Sequence, residues 1–358
     1  WQIPSVIAYD EEGRVLWGHE AMSQRNPYTW SKLLVDGSPA VDVPGDNLRG
    51  VLGGRFGRGA NKPVAEVVGD FLGALRPHIL DRLRMHTPQP LVEWRITTPY
   101  CWSPQGREVF RAAVERAGFA THGPVSYLSE AEAAAQWVAS QLKAPNHLQL
   151  QAGDRLIVCD AGGATIDTAT LEVGNVVDGR PQGFQVVGQP ESVRHGGVDV
   201  DSALMELIRT ARQSPNLIRA GRPAYLTHQA IIEVKETFTG DDRPRTVQVH
   251  QTRSISQHTF QPGDLAGAFD PVLRSMSRLI HAQAAQVLEQ RPPTGTTFVI
   301  LTGGVSKSTY VRAQLGQILG DAFSLLPPLE DPYVSPYLSP PPPAPSRKPR
   351  PSSPALPH

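Results

Sequence analysis

The sequence predicts an α/β protein built on mixed sheets. Three observations lead there. Strand-like apolar runs alternate with segments of helical spacing along most of the chain. Two β-branched runs, RLIVCDAGG and TFVILTGG, end in glycine pairs. The stretch VCDAGGATIDTATLEV, Val158 to Val173, reads as strand, turn and strand, not as a strand–helix–strand unit. Part of the sheet must therefore pair antiparallel.

The elements follow in order. IPSVIAYDEEGRVLWGHEA gives two short strands around a turn at Glu11-Glu12-Gly13, with Ile7, Val15 and Trp17 as inward positions. Trp30 to Val35 is an apolar patch around Lys32, and VLGGRFGRGANKP reads as a glycine-rich surface loop. Val67, Phe71, Leu72, Leu75, Ile79 and Leu83 fall at helical spacing, and Pro77 is expected to kink that helix. Val92 to Thr98 is a strand. SPQGREVFRAAVERAGF is a helix that Ser103 caps, Pro104 starts and Gly118 ends. YLSEAEAAAQWVASQL is read as the next helix, with Ser129 and Glu132 at capping-box spacing.

Beyond the Asp160 hairpin, Gly196-Gly197 lead into the helix DVDSALMELIRTA. Ala230 to Phe238 reads as helix and RTVQVH as strand. Asp270-Pro271 is taken to open a helix running to about Gln290. TFVILTGG is a buried strand, and Tyr310 to Leu319 is helical. From 326 to 358 the chain turns proline- and serine-rich, as in SPYLSPPPPAPSRKPRPSSPALP. It is read as a disordered tail of polyproline II character, because it cannot bury enough apolar surface to offset its ordering entropy.

Composition narrows the function classes. Lys+Arg and Asp+Glu are both 34, so no charge excess favours nucleic acid or an anionic membrane as partner. Two cysteines, Cys101 and Cys159, make neither a disulfide framework nor a zinc site and point to a reducing, cytoplasmic setting. No apolar run approaches the roughly 20 residues of a membrane span, and no secretory signal opens the sequence, which starts at Trp1. G-x-x-x-x-G-K-[ST], H-E-x-x-H, G-x-S-x-G and a strand-following G-x-G-x-x-G are all missing. His195 beside Gly196-Gly197 reads as a turn residue.

The candidate chemistry centres on Asp160, Gly162, Gly163 and Thr165. Backbone N–H groups converging from a turn can bind phosphate, and glycines let the backbone come close. A carboxylate at a strand end can hold Mg²⁺ through its water shell. The same residues also suit a plain hairpin whose glycines adopt positive φ. Gly303-Gly304 could seat an adenosine, or be an ordinary strand-to-helix turn. Glu130 could position metal or water, or simply favour a helix start. Read alone, Lys32 is a surface lysine.

Taken in order, these segments resemble the nucleotide-binding domain of the heat shock protein 70 family, within the actin and sugar-kinase superfamily. TWSKLLVD is similar to the segment with the catalytic lysine, which falls on Lys32. VEWRITTPYCWSPQGREVFRAAVERAGF resembles a strand, proline and helix of the family, with Pro99 at the proline. YLSEAEAAA resembles its first connecting helix and places the acidic position on Glu130. VCDAGGATIDTATLEV resembles its second phosphate loop, covering Asp160, Gly162, Gly163, Thr165 and Asp167. HGGVDVDSAL supplies the glycine pair Gly196-Gly197. KETFT puts an adenine-side lysine at Lys235. VILTGGVSKSTYVRAQL resembles the adenosine motif with Gly303 and Gly304.

The resemblance covers roughly residues 3 to 320 and looks nearest to divergent fungal and animal members that lack the peptide-binding domain. It implies a two-lobed, actin-like ATPase fold of the ribonuclease-H-like type, with 1–148 as a first lobe, 149–325 as a second and 326–358 as the tail. It implies ATP/ADP and Mg²⁺ as ligands, with Asp160 and Glu130 ordering the metal through water. Lys32 would stabilise the transferring phosphate, and Thr165 and Asp167 would meet the γ-phosphate and its attacking water. Co-chaperones or client proteins are the implied partners.

The departures are as specific. The family's first phosphate hairpin is expected before Trp1, and its second connecting helix after about residue 330. Ala164 replaces a third loop glycine, and Glu236 stands where the family has a basic residue. An alternative is therefore an inactive relative whose tail, with Arg347, Lys348 and Arg350, recruits SH3 or WW modules. A sugar or small-molecule kinase of the same superfamily is a third reading.

Overall fold

A computed structural model of the chain describes residues 3–22, 24, 27–29, 31–36, 62–141, 149–211, 222–251, 254–290 and 295–326. The glycine-rich loop at 51–61 and the proline-rich tail beyond Leu326 lie outside them. The described fold is mixed α/β, as expected.

Strands β1 (Ile7–Tyr9) and β2 (Val15–Trp17) pair antiparallel across the Glu11–Gly13 turn. Ile7 packs with Val67 and Tyr28, and Trp17 meets Phe71 edge-on at 6.2 Å. The other face is covered too, because Ala8 and Leu16 bury against Ala21. The short helix Ser31–Val35 then carries Lys32.

Helix Val64–His86 continues through Pro77, which does not end it. Val68 is buried on one side of that proline and Leu80 on the other, both within clusters that include helix Pro104–Arg116. Packing on both sides outweighs the one hydrogen bond a proline removes.

Strands β3 (Trp94–Thr98) and β4 (Val125–Ser129) pair in parallel, joined by helix Pro104–Arg116. Ser103 Oγ accepts from the Gly106 amide at 3.0 Å, as its capping role predicts. Tyr127 and Leu128 belong to β4, not to the following helix as the sequence reading had it. That helix spans Glu130–Gln141. Its capping box explains the correction. The Ser129 amide and hydroxyl donate to Glu132 Oε2 at 2.9 and 2.7 Å, and the Glu132 amide returns a bond to Ser129 Oγ at 3.0 Å. An N-cap residue stands outside the helix, so what precedes it is free to be strand.

In the largest sheet β6 (Ile166–Val173) pairs antiparallel with β5 (Arg155–Ala161) on one side and with β9 (Phe184–Val193) on the other. A small ribbon, β7 (Val176–Val177) with β8 (Arg180–Pro181), lies between β6 and β9 in sequence. Strands β10 (Arg245–His250) and β11 (Ile255–Phe260) form a separate hairpin. Strand β12 (Thr297–Thr302) runs parallel to β5, and β13 (Ser324–Leu325) parallel to β12, giving the order β13-β12-β5-β6-β9.

Burial on both faces of β5 accounts for its unbroken apolar run. Ile157, Cys159 and Ala161 face a core with Leu204, Ile231, Phe269 and Leu315. Leu156 and Val158 face a second core with Ala135 and Val138 of helix Glu130–Gln141. Helix Gly197–Ala211 follows its glycine pair as expected.

Two helices begin earlier than read. Helix Arg222–Thr237 starts well before Ala230. Helix Pro262–Gln290 starts at Pro262, with Pro271 inside it. The Gln261 amide donates to Asp264 Oδ2 at 2.8 Å, so the first-turn proline and its acidic cap are Pro262 and Asp264, not the later Pro271. Among the described residues no helix is long and apolar enough to cross a membrane.

Candidate functional site

Asp160 sits next to the end of β5, directly across the ladder from Asp167 on β6 and beside Thr302 on β12. Two carboxylates therefore face each other at the mouth of the hairpin. The turn closes with the Gly162 amide donating to Thr165 O at 2.9 Å. Neither Gly162 nor Gly163 has positive φ, so the left-handed backbone of an ordinary glycine hairpin is not the reason for them.

Close approach and open space are the reasons instead. The Gly197 amide donates to Gly162 O at 3.0 Å and the Val198 amide to Gly163 O at 2.9 Å. A Cβ on Gly196 would stand 2.5 Å from Gly163 O, so the second glycine pair lets the start of helix Gly197–Ala211 dock on the hairpin. A Cβ on Gly163, or on Gly304 across the way, would meet nothing within 4 Å. Gly303 does need its freedom. Its φ is +85°, and a Cβ there would lie 2.4 Å from both Asp160 Oδ1 and Ala161 O.

The charged centre lies beside the hairpin. Lys32 Nζ donates to Glu130 Oε1 at 3.2 Å and Oε2 at 3.3 Å, and stands 4.0 Å from Asp167 Oδ2. Thr165 Oγ1 donates to Asp167 Oδ2 at 2.9 Å, and Cys101 Sγ to Asp167 Oδ1 at 3.0 Å. Burial pushes the Glu130 carboxyl up to about 7; Lys32 pulls it down, while Asp160 and Asp167 push it further up. Burial likewise raises Asp160, against Lys32 and with Asp167. Desolvation works against the Lys32 charge, but Glu130, Asp167 and Asp160 together outweigh it and hold the ammonium above its usual value. Burial and the Asp167 charge push the Cys101 thiol up to about 12, so it stays protonated and acts as a donor.

One lysine among three carboxylates leaves the cluster short of positive charge. No group of three or more His, Cys, Asp or Glu among the described residues is placed to hold a metal ion directly.

Two sizeable hollows are lined in part by this hairpin. The larger, about 410 Å³, has a backbone floor of Gly162, Gly163, Gly197 and Gly304, apolar walls from Val200, Phe269 and Val305, and a polar side from Lys235, Glu236, Lys307 and Ser308. The other, about 210 Å³, is lined by Lys32, Thr165 and Asp167 with Cys101, Trp102 and Arg194. Lys235 is fixed at the floor by Asp201 Oδ1 at 2.6 Å and by Gly197 O at 3.3 Å. Asp201 is buried, and its other oxygen meets His228 Nε2 at 3.2 Å. Burial raises the Asp201 carboxyl, but His228 and Lys235 overcome that and keep it below the usual range.

The structure thus brings Lys32, Glu130, Asp160, Thr165 and Asp167 into one cluster. Gly162, Gly163, Gly197, Lys235 and Gly304 line the adjoining hollow, while Gly196 and Gly303 pack against the hairpin without lining it. His195 is a turn residue whose Nδ1 pairs with Ser275 Oγ at 2.6 Å. Sequence reasoning missed Cys101, Asp201, His228 and Phe269. Asp201 lies within the quoted DVDSAL run, one helical turn past Gly197, and that spacing could have drawn attention to it. No protein-family model and no curated protein matches this chain.

Proposed function

We propose that the chain binds a nucleoside triphosphate as its Mg²⁺ complex, as a relative of the two-lobed ATPases of the heat shock protein 70 family. In this reading residues 1–148 contribute to a first lobe and 149–325 form a second. One observation carries the proposal. Gly163 and Gly304 are glycines that neither backbone conformation nor any protein neighbour requires, and both open onto the same hollow beside a lysine–carboxylate cluster. Their missing side chains leave the backbone there open to approach.

A polyphosphate suits the open backbone at Gly163, and a flat base suits the apolar side at Val305. Its negative charge could not stand beside Asp160, Glu130 and Asp167 without a cation. Mg²⁺ keeps its waters and fits carboxylates that reach it through them. When bound it would offset charge on the phosphates. Lys32 would do the same from the protein side, reaching past the Glu130 carboxylate it now holds. For hydrolysis, Glu130 is the group tuned to take a proton from water near neutral pH.

Calorimetry with Mg-ATP tests this on the 358-residue chain. Binding is expected, and it should weaken by about tenfold or more on Asp160→Ala or on chelation of Mg²⁺, as loss of a charged contact does. A folded Asp160→Ala chain with unchanged affinity would remove the site from the hairpin.

A further inference from the structure

Between the end of β3 and helix Pro104–Arg116 the chain makes a braced turn. The Trp102 amide donates to Pro99 O at 3.4 Å, and Arg107 Nη2 donates to Tyr100 O at 2.8 Å. The Ser103 amide donates to Asp36 Oδ1 at 2.7 Å. Trp102 is buried and meets Phe110 edge-on at 5.4 Å. The residue held in the middle is Cys101. Its Sγ donates to Asp167 Oδ1 at 3.0 Å, across 66 residues of sequence. The other carboxylate oxygen accepts from Thr165 Oγ1 at 2.9 Å and stands 4.0 Å from Lys32 Nζ, beyond hydrogen-bond reach. Cys101 and Asp167 both line the 210 Å³ hollow that holds Lys32. Both also line a chamber of about 20 Å³, room for one water, with Glu130 and Asp160 in its wall.

We infer that Cys101 is a positioning residue of the site: its S–H fixes the Asp167 carboxylate and so keeps Lys32 from taking a second carboxylate partner. The inference rests on the proposed function, which makes phosphate the group that Lys32 must be able to reach. A carboxylate with a donor on each oxygen has its plane set from both sides. Without the thiol it can turn about the Thr165 bond and close the remaining gap to Lys32, which Glu130 already holds. A charge-assisted bond from a second carboxylate would hold the ammonium back from phosphate. An apolar side chain of the same size could pack in the turn but could not donate. Serine could take the role of Cys101, and alanine could not.

Two measurements test this, with thermal melting to confirm that each variant keeps its fold. The first needs no nucleotide. Cys159 is fully buried and Cys101 is exposed, so iodoacetamide reports on Cys101 in the folded chain. Asp167→Asn removes the charge that holds the thiol proton, and Cys101 should then react about threefold faster or more. That figure is a tenfold gain in thiolate, less the lower nucleophilicity of a more acidic thiol. Equal rates in the two chains overturn the contact and the inference with it. The second is calorimetry with Mg-ATP. Cys101→Ala should bind about fivefold more weakly, as loss of one weak donor to a charged group does, while Cys101→Ser binds as the unmodified chain does. Native affinity in Cys101→Ala, or equal losses in the alanine and serine variants, overturns the inference and leaves the nucleotide site standing. Failure of the folded, unmodified chain to bind Mg-ATP overturns the nucleotide reading and the role of Cys101 within it, whatever the alkylation rates.

Discussion

Glu130→Gln should flatten the chain's stability against pH. In the fold the Glu130 carboxyl is pushed up from 4.5 to about 7, chiefly by burial. Its side chain is only 23% exposed, so solvent screening removes little of that shift. The folded state therefore holds this proton more tightly than the unfolded chain does. The stability carried by the proton is complete below the unfolded value and is lost as pH climbs through the folded one. Between about pH 5 and about pH 8 the loss amounts to about 2.5 kcal/mol. Glutamine keeps the shape and cannot ionise, so the variant should not show this loss. Lys32 titrates far above this window and leaves the difference intact. Asp199 is also raised by burial, and it contributes equally to both proteins. The assay is urea unfolding of both chains at the two pH values, without nucleotide or metal. The unmodified chain should lose about 2.5 kcal/mol more than the variant between them. Parallel pH profiles for the two proteins would refute the reasoning.

Two further outcomes follow from local geometry. Gly303→Ala puts a Cβ 2.4 Å from Asp160 Oδ1 and Ala161 O at a φ of +85°, so stability should fall by about 2 kcal/mol or more in urea unfolding, with Mg-ATP binding lost as Asp160 shifts. Ser129→Ala removes the N-cap hydroxyl that bonds the Glu132 amide and carboxylate, and should cost about 1 kcal/mol by the same assay while the pH profile of the chain keeps its shape.

Much of the fold was legible because burial dictates composition. RLIVCDA, TFVILT and RTVQVH read as strands because buried faces demand apolar, β-branched residues. β9 and β11 did not read as strands. β9 contains Gly188 and Pro190, and β11 alternates Ser, Gln, His and Thr with little apolar content. Each is set by its partner, β6 for one and β10 for the other, which no local pattern encodes. The true start of helix Pro262–Gln290 was hidden by a second proline that carries the same start signal.

The candidate site divides along the same line. Asp160 and its glycines are neighbours in sequence and read together. Lys32 and Glu130, 98 residues apart, became legible only through the order of the motifs. The Asp201–His228 contact joins positions 27 apart on different helices and left no signal beforehand.

Stability alone does not account for where the carboxylates lie. Glu130, Asp160 and Asp167 crowd one lysine, and two of the three are raised by burial, which marks them as ions the fold would hold more easily if they were uncharged. Apolar groups of similar size would pack there at least as well. The glycines make the complementary case: Gly163 and Gly304 forgo side chains that the fold has room for. Charges that weaken the empty fold and space that the fold leaves open meet around a single hairpin. In the proposed function a hydrated cation with its polyphosphate would relieve the first and fill the second, so Glu130, whose ionisation makes the unliganded chain less stable above neutral pH, would be among the residues that bind it.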